Sequence, residues 1–206
     1  MRKYTGPHDY FDEGYVREWA RSANDRRPFR AQLFDAFARE LQPLGAARIL
    51  ELGSGPGFLA EHLLKHCDVA AYHLLDFSPH MLALSRARLA PFADRAHFHQ
   101  GSFVDEGWSK PLPAPFDAVI SMQALHEVRR TERLLPLYAE LRSVLAPGGV
   151  VLIADKRDGQ EEDEAERFTL DAHLAALAAA GFTDHRQVCA AGDLFMLAAR
   201  LTQNAA

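Results

Sequence analysis

The 206 residues are 48% hydrophobic and 25% charged, the profile of one ordinary domain large enough to bury a continuous core. No apolar run approaches the roughly 20 residues of a membrane span, and a formal charge of −5 disfavours a nucleic-acid track, which needs a basic face. Two cysteines, Cys67 and Cys189, suit neither a disulfide framework nor a zinc or redox pair.

Residues 1–45 read as a helical, rather polar segment. Tyr10, Phe11, Tyr15, Val16 and Trp19 recur at helical spacing, and Pro28 starts a second helix through Phe29, Leu33, Phe34, Phe37 and Leu41. From Ala47 strands and helices alternate. Arg48 to Leu52 is a buried strand ending in glycines, Phe58 to His66 a helix, and Ala70 to Leu75 a second strand ending at Asp76. Ser78 caps a helix with Pro79 at its first position. Further strands cover Ala96 to Gln100 and Phe116 to Met122; a helix opens at Thr131, and Gly149 to Ala154 is strand five. Glu164 to Ala180 reads as helical, closed by Gly181, before strands at Phe182 to Ala190 and Asp193 to Leu201 joined by a short connection. The expected fold is α/β: a Rossmann-like, seven-stranded, mostly parallel sheet, helices on both faces, with an antiparallel C-terminal hairpin. Residues 46–206 would form the main domain, with 1–45 a candidate lid. Ligands of such sheets bind beyond the carboxyl ends of the strands.

The run Glu51-Leu52-Gly53-Ser54-Gly55-Pro56-Gly57 sits at such an end. A nicotinamide loop needs Gly-x-Gly-x-x-Gly, with its third glycine at position 58. Phe58 stands there and the glycine comes one residue early, which disfavours a nucleotide-cofactor oxidoreductase. This Glu-x-Gly-x-Gly-x-Gly pattern resembles the class I S-adenosylmethionine (SAM)-dependent methyltransferases. The resemblance implies that Glu51 helps hold the methionine portion of SAM, with Gly53, Ser54, Gly55 and Gly57 making room for the cofactor.

Asp76, one strand later, is placed to accept both ribose hydroxyls. Asp76-Phe77-Ser78-Pro79-x-Met81-Leu82 is similar to the branch containing ubiquinone and menaquinone biosynthesis methyltransferases, which implies that Phe77 and Met81 flank adenine. Ser102, where many relatives have aspartate, and Phe103 match the adenine end. Ser121 and Met122 match the border of SAM after strand four, and His126 a histidine often found there. Leu145-Ala146-Pro147-Gly148-Gly149 matches an architectural turn.

The resemblance implies transfer of a methyl group from SAM, leaving S-adenosylhomocysteine, to a small-molecule acceptor. Candidate bases are His126, Tyr10, His8 and Tyr4, and His126 has an equally good reading as a packed structural histidine. No Asn/Asp-Pro-Pro-Tyr or Pro-Cys follows strand four, which disfavours adenine, glutamine or cytosine methylation. Asp155 has no acidic partner at Gln123 or Ala124, so no metal is expected. A SAM-binding regulatory or non-catalytic protein is the alternative. The N-terminal residues lack the apolar stretch of a signal peptide, so the expected compartment is cytoplasmic. Monomer and homodimer stay open.

Overall fold

The structure, a computed structural model, describes residues 8–156 and 168–202. Helices α1 (Glu13–Arg26) and α2 (Arg30–Leu41) precede an alternating series: β1 (Ala47–Leu52), α3 (Phe58–His66), β2 (Val69–Asp76), α4 (Pro79–Arg88), β3 (Ala96–Gln100) and β4 (Phe116–Met122). Then follow α5 (Leu134–Val144), β5 (Leu145–Lys156), α6 (Leu170–Ala179), β6 (Phe182–Ala191) and β7 (Leu194–Leu201). The seven strands lie in the order β3-β2-β1-β4-β5-β7-β6. β1 to β5 are parallel, and β7 runs antiparallel to both β5 and β6. The Rossmann-like sheet with its antiparallel C-terminal hairpin is therefore the observed architecture.

Strand alternation sorts the core into two layers. Ile49, Tyr72, Leu74, Ala118 and Ile120 pack with Leu33, Phe37, Leu59 and Leu63 of α2 and α3. Leu50, Leu52, Leu75 and Val119 pack on the opposite face with Leu137, Tyr138, Leu141 and Leu177 of α5 and α6. Each fully buried leucine contributes roughly 1.5–3 kcal/mol. Because successive residues point to opposite faces, Glu51 lies on the same side as Ile49, toward α2 and α3.

Three element boundaries differ from expectation by three residues or more. Thr131–Arg133 is a 3-10 turn and α5 begins only at Leu134. Pro136 explains this: it is tolerated in a first helical turn, but a helix from Thr131 would require its missing amide. β5 starts at Leu145, because Leu145 pairs with Phe116 ahead of a register shift. α6 begins at Leu170, where the Thr169 hydroxyl accepts from the Ala172 amide at 3.0 Å; Glu164 to Arg167 lie outside the described residues.

The sheet order reverses between β1 and β4, since the chain steps outward through β2 and β3 before returning to β4 beside β1. The loops that follow β1 and β4 thus diverge at one crevice, where open α/β sheets place their ligands. Among the described residues, no helix is long and apolar enough to cross a membrane.

Candidate active site

A cavity of about 630 Å³ opens at that crevice. The glycine loop forms its floor. A Cβ added to Gly53 would lie 2.3 Å from the Ala124 Cβ, so only glycine lets the loop after β1 abut the loop after β4. Gly57 acts differently: it starts α3 in a left-handed conformation, and a Cβ there would lie 3.0 Å from the Ser85 Cβ on α4. Gly57 is therefore a helix-packing residue outside the cavity wall, whereas Gly53, Ser54 and Gly55 line it.

At the end of β2, Asp76 is 5% exposed and lines the cavity. Its Oδ2 accepts from the Gly55 amide at 2.8 Å and its Oδ1 from the Ser78 amide at 2.9 Å. Burial pushes its carboxyl up to about 6, against these amide hydrogen bonds. Each oxygen keeps a further lone pair for a hydroxyl donor. Beyond it, Phe77, Met81, Ser102 and Phe103 line an apolar end, with Asp105 at its margin.

Glu51 also lines the cavity and is 3% exposed. Burial pushes its carboxyl up to about 8, although the Tyr72 hydroxyl donates to Oε2 at 2.8 Å and favours the charged form. Two buried polar atoms of the cavity lining have no partner among the described residues: Ser54 Oγ and Arg30 Nε. Arg30, the first residue of α2, lines the cavity but carried no functional reading from sequence.

The roof comes from the N-terminal segment. Tyr10, Phe11 and Trp19 line the cavity. The Tyr10 and Phe11 rings stand edge-on to Phe77 at 5.8 and 5.5 Å, and the Ser78 hydroxyl donates to the Tyr10 carbonyl at 2.6 Å. His8 stacks on Tyr15, and His8 Nδ1 lies 2.5 Å from the Tyr15 hydroxyl. Tyr4 lies outside the described residues.

Met122, Gln123, Ala124 and Glu127 supply the wall after β4. Gln123 holds φ of 57°, a left-handed conformation uncommon outside glycine, and its amide donates to the Ala154 carbonyl at 2.7 Å. Ser121 lies outside the wall: it is wholly buried, and its hydroxyl donates to the Leu52 carbonyl at 2.9 Å, tying β4 to β1. His126 also lies behind the wall. Asp155, 2% exposed, accepts from the His126 amide at 2.9 Å, and Asp155 Oδ1 lies 2.7 Å from His126 Nδ1. Burial opposes charge on the imidazole, but the Asp155 carboxylate and its hydrogen bond outweigh that and lift His126 above its usual range. His126 Nε2 faces Glu127 at 3.8 Å. Among the described residues, no three His, Cys, Asp or Glu side chains group as a metal site. The asset missed in sequence here is Asp155, which was weighed only as a metal ligand.

The cavity lining thus combines apolar side chains, a buried carboxylate that can accept from hydroxyl groups, and the charged groups of Glu51 and Arg30. Residues 49–149 match the methyltransferase-domain family. A trans-aconitate 2-methyltransferase of Variovorax paradoxus is 36% identical over 117 residues, which are 57% of this chain and 41% of that protein. A highly reducing polyketide synthase of Emericella nidulans is 33% identical over 119 residues, 55% of this chain and 5% of that protein. The chain thus spans less than half of either curated relative. Among solved structures, the N-methyltransferase NodS of Bradyrhizobium japonicum with S-adenosylhomocysteine superposes with a TM-score of 0.72 at 17% identity, covering 87% of this chain and 90% of that one.

Proposed function

We propose that this chain, whose residues 49–149 match the methyltransferase-domain family, moves the methyl group of SAM to a small-molecule acceptor. The observation that carries this reading is Asp76: a buried carboxylate at the end of β2, facing the cavity between an apolar end and the Glu51 corner. When bound, SAM supplies a methyl group activated by a sulfonium. Phe77, Met81, Ser102 and Phe103 would enclose adenine, Asp76 would accept from the ribose hydroxyls, and Glu51 would face the methionine ammonium. The run from Asp76 to Leu82 favours a place near the ubiquinone and menaquinone methyltransferases.

The acceptor would enter between the wall after β4 and the N-terminal roof. Tyr10, Phe11 and Trp19 exclude water there, and holding two reactants in line supplies several kcal/mol of catalysis. Residues 1–45 would act as the lid over a main domain of 46–206. For a hydroxyl acceptor His126 is the base we favour. Asp155 fixes its ring with Nε2 toward Glu127, a residue of the cavity wall, and Tyr10 would orient the acceptor.

A second reading is favoured by Arg129, Arg130 and Arg133, which line the same part of the cavity. A carboxylate acceptor would pair with them and, already ionised, needs no base. The name of the Variovorax paradoxus relative agrees with such an acceptor. Methylation assays with SAM and matched panels of alcohols, amines and carboxylic acids test both readings. Turnover of none of them, with S-adenosylhomocysteine still bound, would favour a non-catalytic binder instead.

A further inference from the structure

We propose that His73, His97 and His99 form a proton-sensitive clasp that holds edge strand β3 against β2, and that its opening in acid loosens one wall of the cofactor cavity; the second half rests on the cofactor reading above. β3 is the rim of the sheet and pairs only with β2. Its hold is five residues of backbone pairing and whatever its side chains add. His97 stands opposite His73 in the register, and alternation turns His97 and His99 to one face of the strand. The His73 ring stacks on His97 at 4.6 Å and on His99 at 5.2 Å, with interplanar angles of 27° and 17°.

The chemistry of that contact limits how many protons it can take. His73 Nδ1 lies 2.9 Å from His99 Nε2, so one nitrogen donates and the other accepts. The bond survives while either ring is neutral and is lost once both are cations, because a cationic imidazole has no acceptor. Like charges on facing strands also oppose the pairing. His73 is buried and His99 half-buried, while His97 is exposed and opens the cluster to water.

No anion relieves such a charge. Phe116 of β4 packs edge-on against His73 at 5.2 Å, and Asp117 beside it accepts from the Arg48 amide at 2.7 Å. The other charges that act on the cluster are cationic: Arg48 of β1 on His73, and Arg86 of α4 on His99. Burial first, then His97, His99 and Arg48, push His73 down to about 4; burial, His97 and Arg86 lower His99. A separated strand therefore takes up protons before the clasped one. The clasp is fully stabilising above the ordinary histidine value of 6.5 and loses strength as pH falls toward about 4.

The cluster sits directly behind the cavity. β3 ends at Gln100 and runs into Gly101, Ser102 and Phe103, and all four line the cavity. The Gly101 amide donates to the Asp76 carbonyl at 3.0 Å, the rung that follows the clasp. Release of β3 would carry this wall away from Asp76.

The test compares wild type with the double variant His97→Gln, His99→Gln, in which residue 99 keeps an amide for His73 but neither new side chain can take a charge. Between pH 8 and pH 5 the melting temperature of wild type should fall by about 4 °C more than that of the variant. Asp76, Glu51 and His173 titrate in both proteins and cancel from the difference. Coincident profiles would overturn the clasp. Should the variant fail to fold, hydrogen exchange on wild type stands alone: protection of β3 amides should fall in acid relative to β5, and equal retention overturns the proposal. By calorimetry, S-adenosylhomocysteine should bind both proteins within about twofold at pH 8, and wild type about fivefold more weakly than the variant at pH 5. Equal affinities at pH 5 would overturn the link to the cavity. Absence of binding to both at pH 8 would overturn the cofactor reading, and leaves the melting comparison to judge the clasp.

Discussion

Asp155 grips His126 twice, accepting from its backbone amide at 2.9 Å and lying 2.7 Å from its Nδ1. The two contacts fix both the loop after β4 and the direction of the ring. If His126 is the base for a hydroxyl acceptor, kcat should rise with pH through an apparent pKa above the usual histidine range, since the carboxylate lifts it against burial. Asp155→Asn should shift that limb to lower pH and reduce kcat, and His126→Ala should cost about 10²-fold or more. A carboxylate acceptor would instead give a flat profile, unmoved by either change.

The same pair sets a stability window. His126, raised in the folded state, contributes stability fully present below its unfolded pKa and lost as pH rises through the folded value. Asp155 is lowered, because its interactions with His126 and the Lys156 amide overcome burial; its contribution is present above its unfolded pKa and lost as pH falls through the folded one. Melting temperatures of wild type and Asp155→Asn should therefore differ most between those limits and converge outside them.

Asp76→Ala should weaken S-adenosylhomocysteine binding by about tenfold or more, ~1.4 kcal/mol, in calorimetry. For wild type, affinity should fall as pH drops through about 6, where this buried carboxyl takes up a proton. Unchanged affinity in the variant would remove Asp76 from the ribose role.

Glu51 offers a proton count. In the free protein burial holds its carboxyl near 8, so at pH 7 it is mostly protonated. A ligand ammonium beside it favours the ionised form. Binding should then release a proton, seen as a calorimetric enthalpy that varies with the buffer's ionisation enthalpy. Glu51→Gln should abolish that dependence and weaken binding.

Gly53→Ala should cost more than Gly55→Ala, although both have positive φ. A methyl at 53 meets Ala124 at 2.3 Å, whereas one at 55 meets nothing within 4 Å. Left-handed strain of roughly 1–2 kcal/mol falls on both, and overpacking adds roughly 1–3 kcal/mol only at 53. Thermal melting separates the two.

Much of the fold was legible because the parallel strands are short apolar runs stopped by glycine or aspartate: α3, β3 and β4 have the bounds read from sequence. The start of α5 was not, since the helical stripe from Leu134 onward hides how Pro136 limits its first turn. In the site, Asp76 follows from its place at a strand end and Glu51 and Phe77 from the family resemblance, and all three line the cavity. Gly57 and Ser121 share the same local pattern, but neighbours far away in sequence, Ser85 and Leu52, claim them. Arg30 had a signal, a charge in an apolar helical stripe, yet its meaning depends on which sheet face Glu51 takes.

That alternation along β1 has a consequence for how this chain tolerates insertions and deletions. Removing or adding one residue within Ala47–Leu52 would rotate every later side chain of the strand to the other face. Glu51's carboxylate would enter the layer under α5 and α6, among Leu50, Leu75 and Val119, and a leucine would face Arg30 and Tyr72. The register of one six-residue strand thus decides which layer receives the charge.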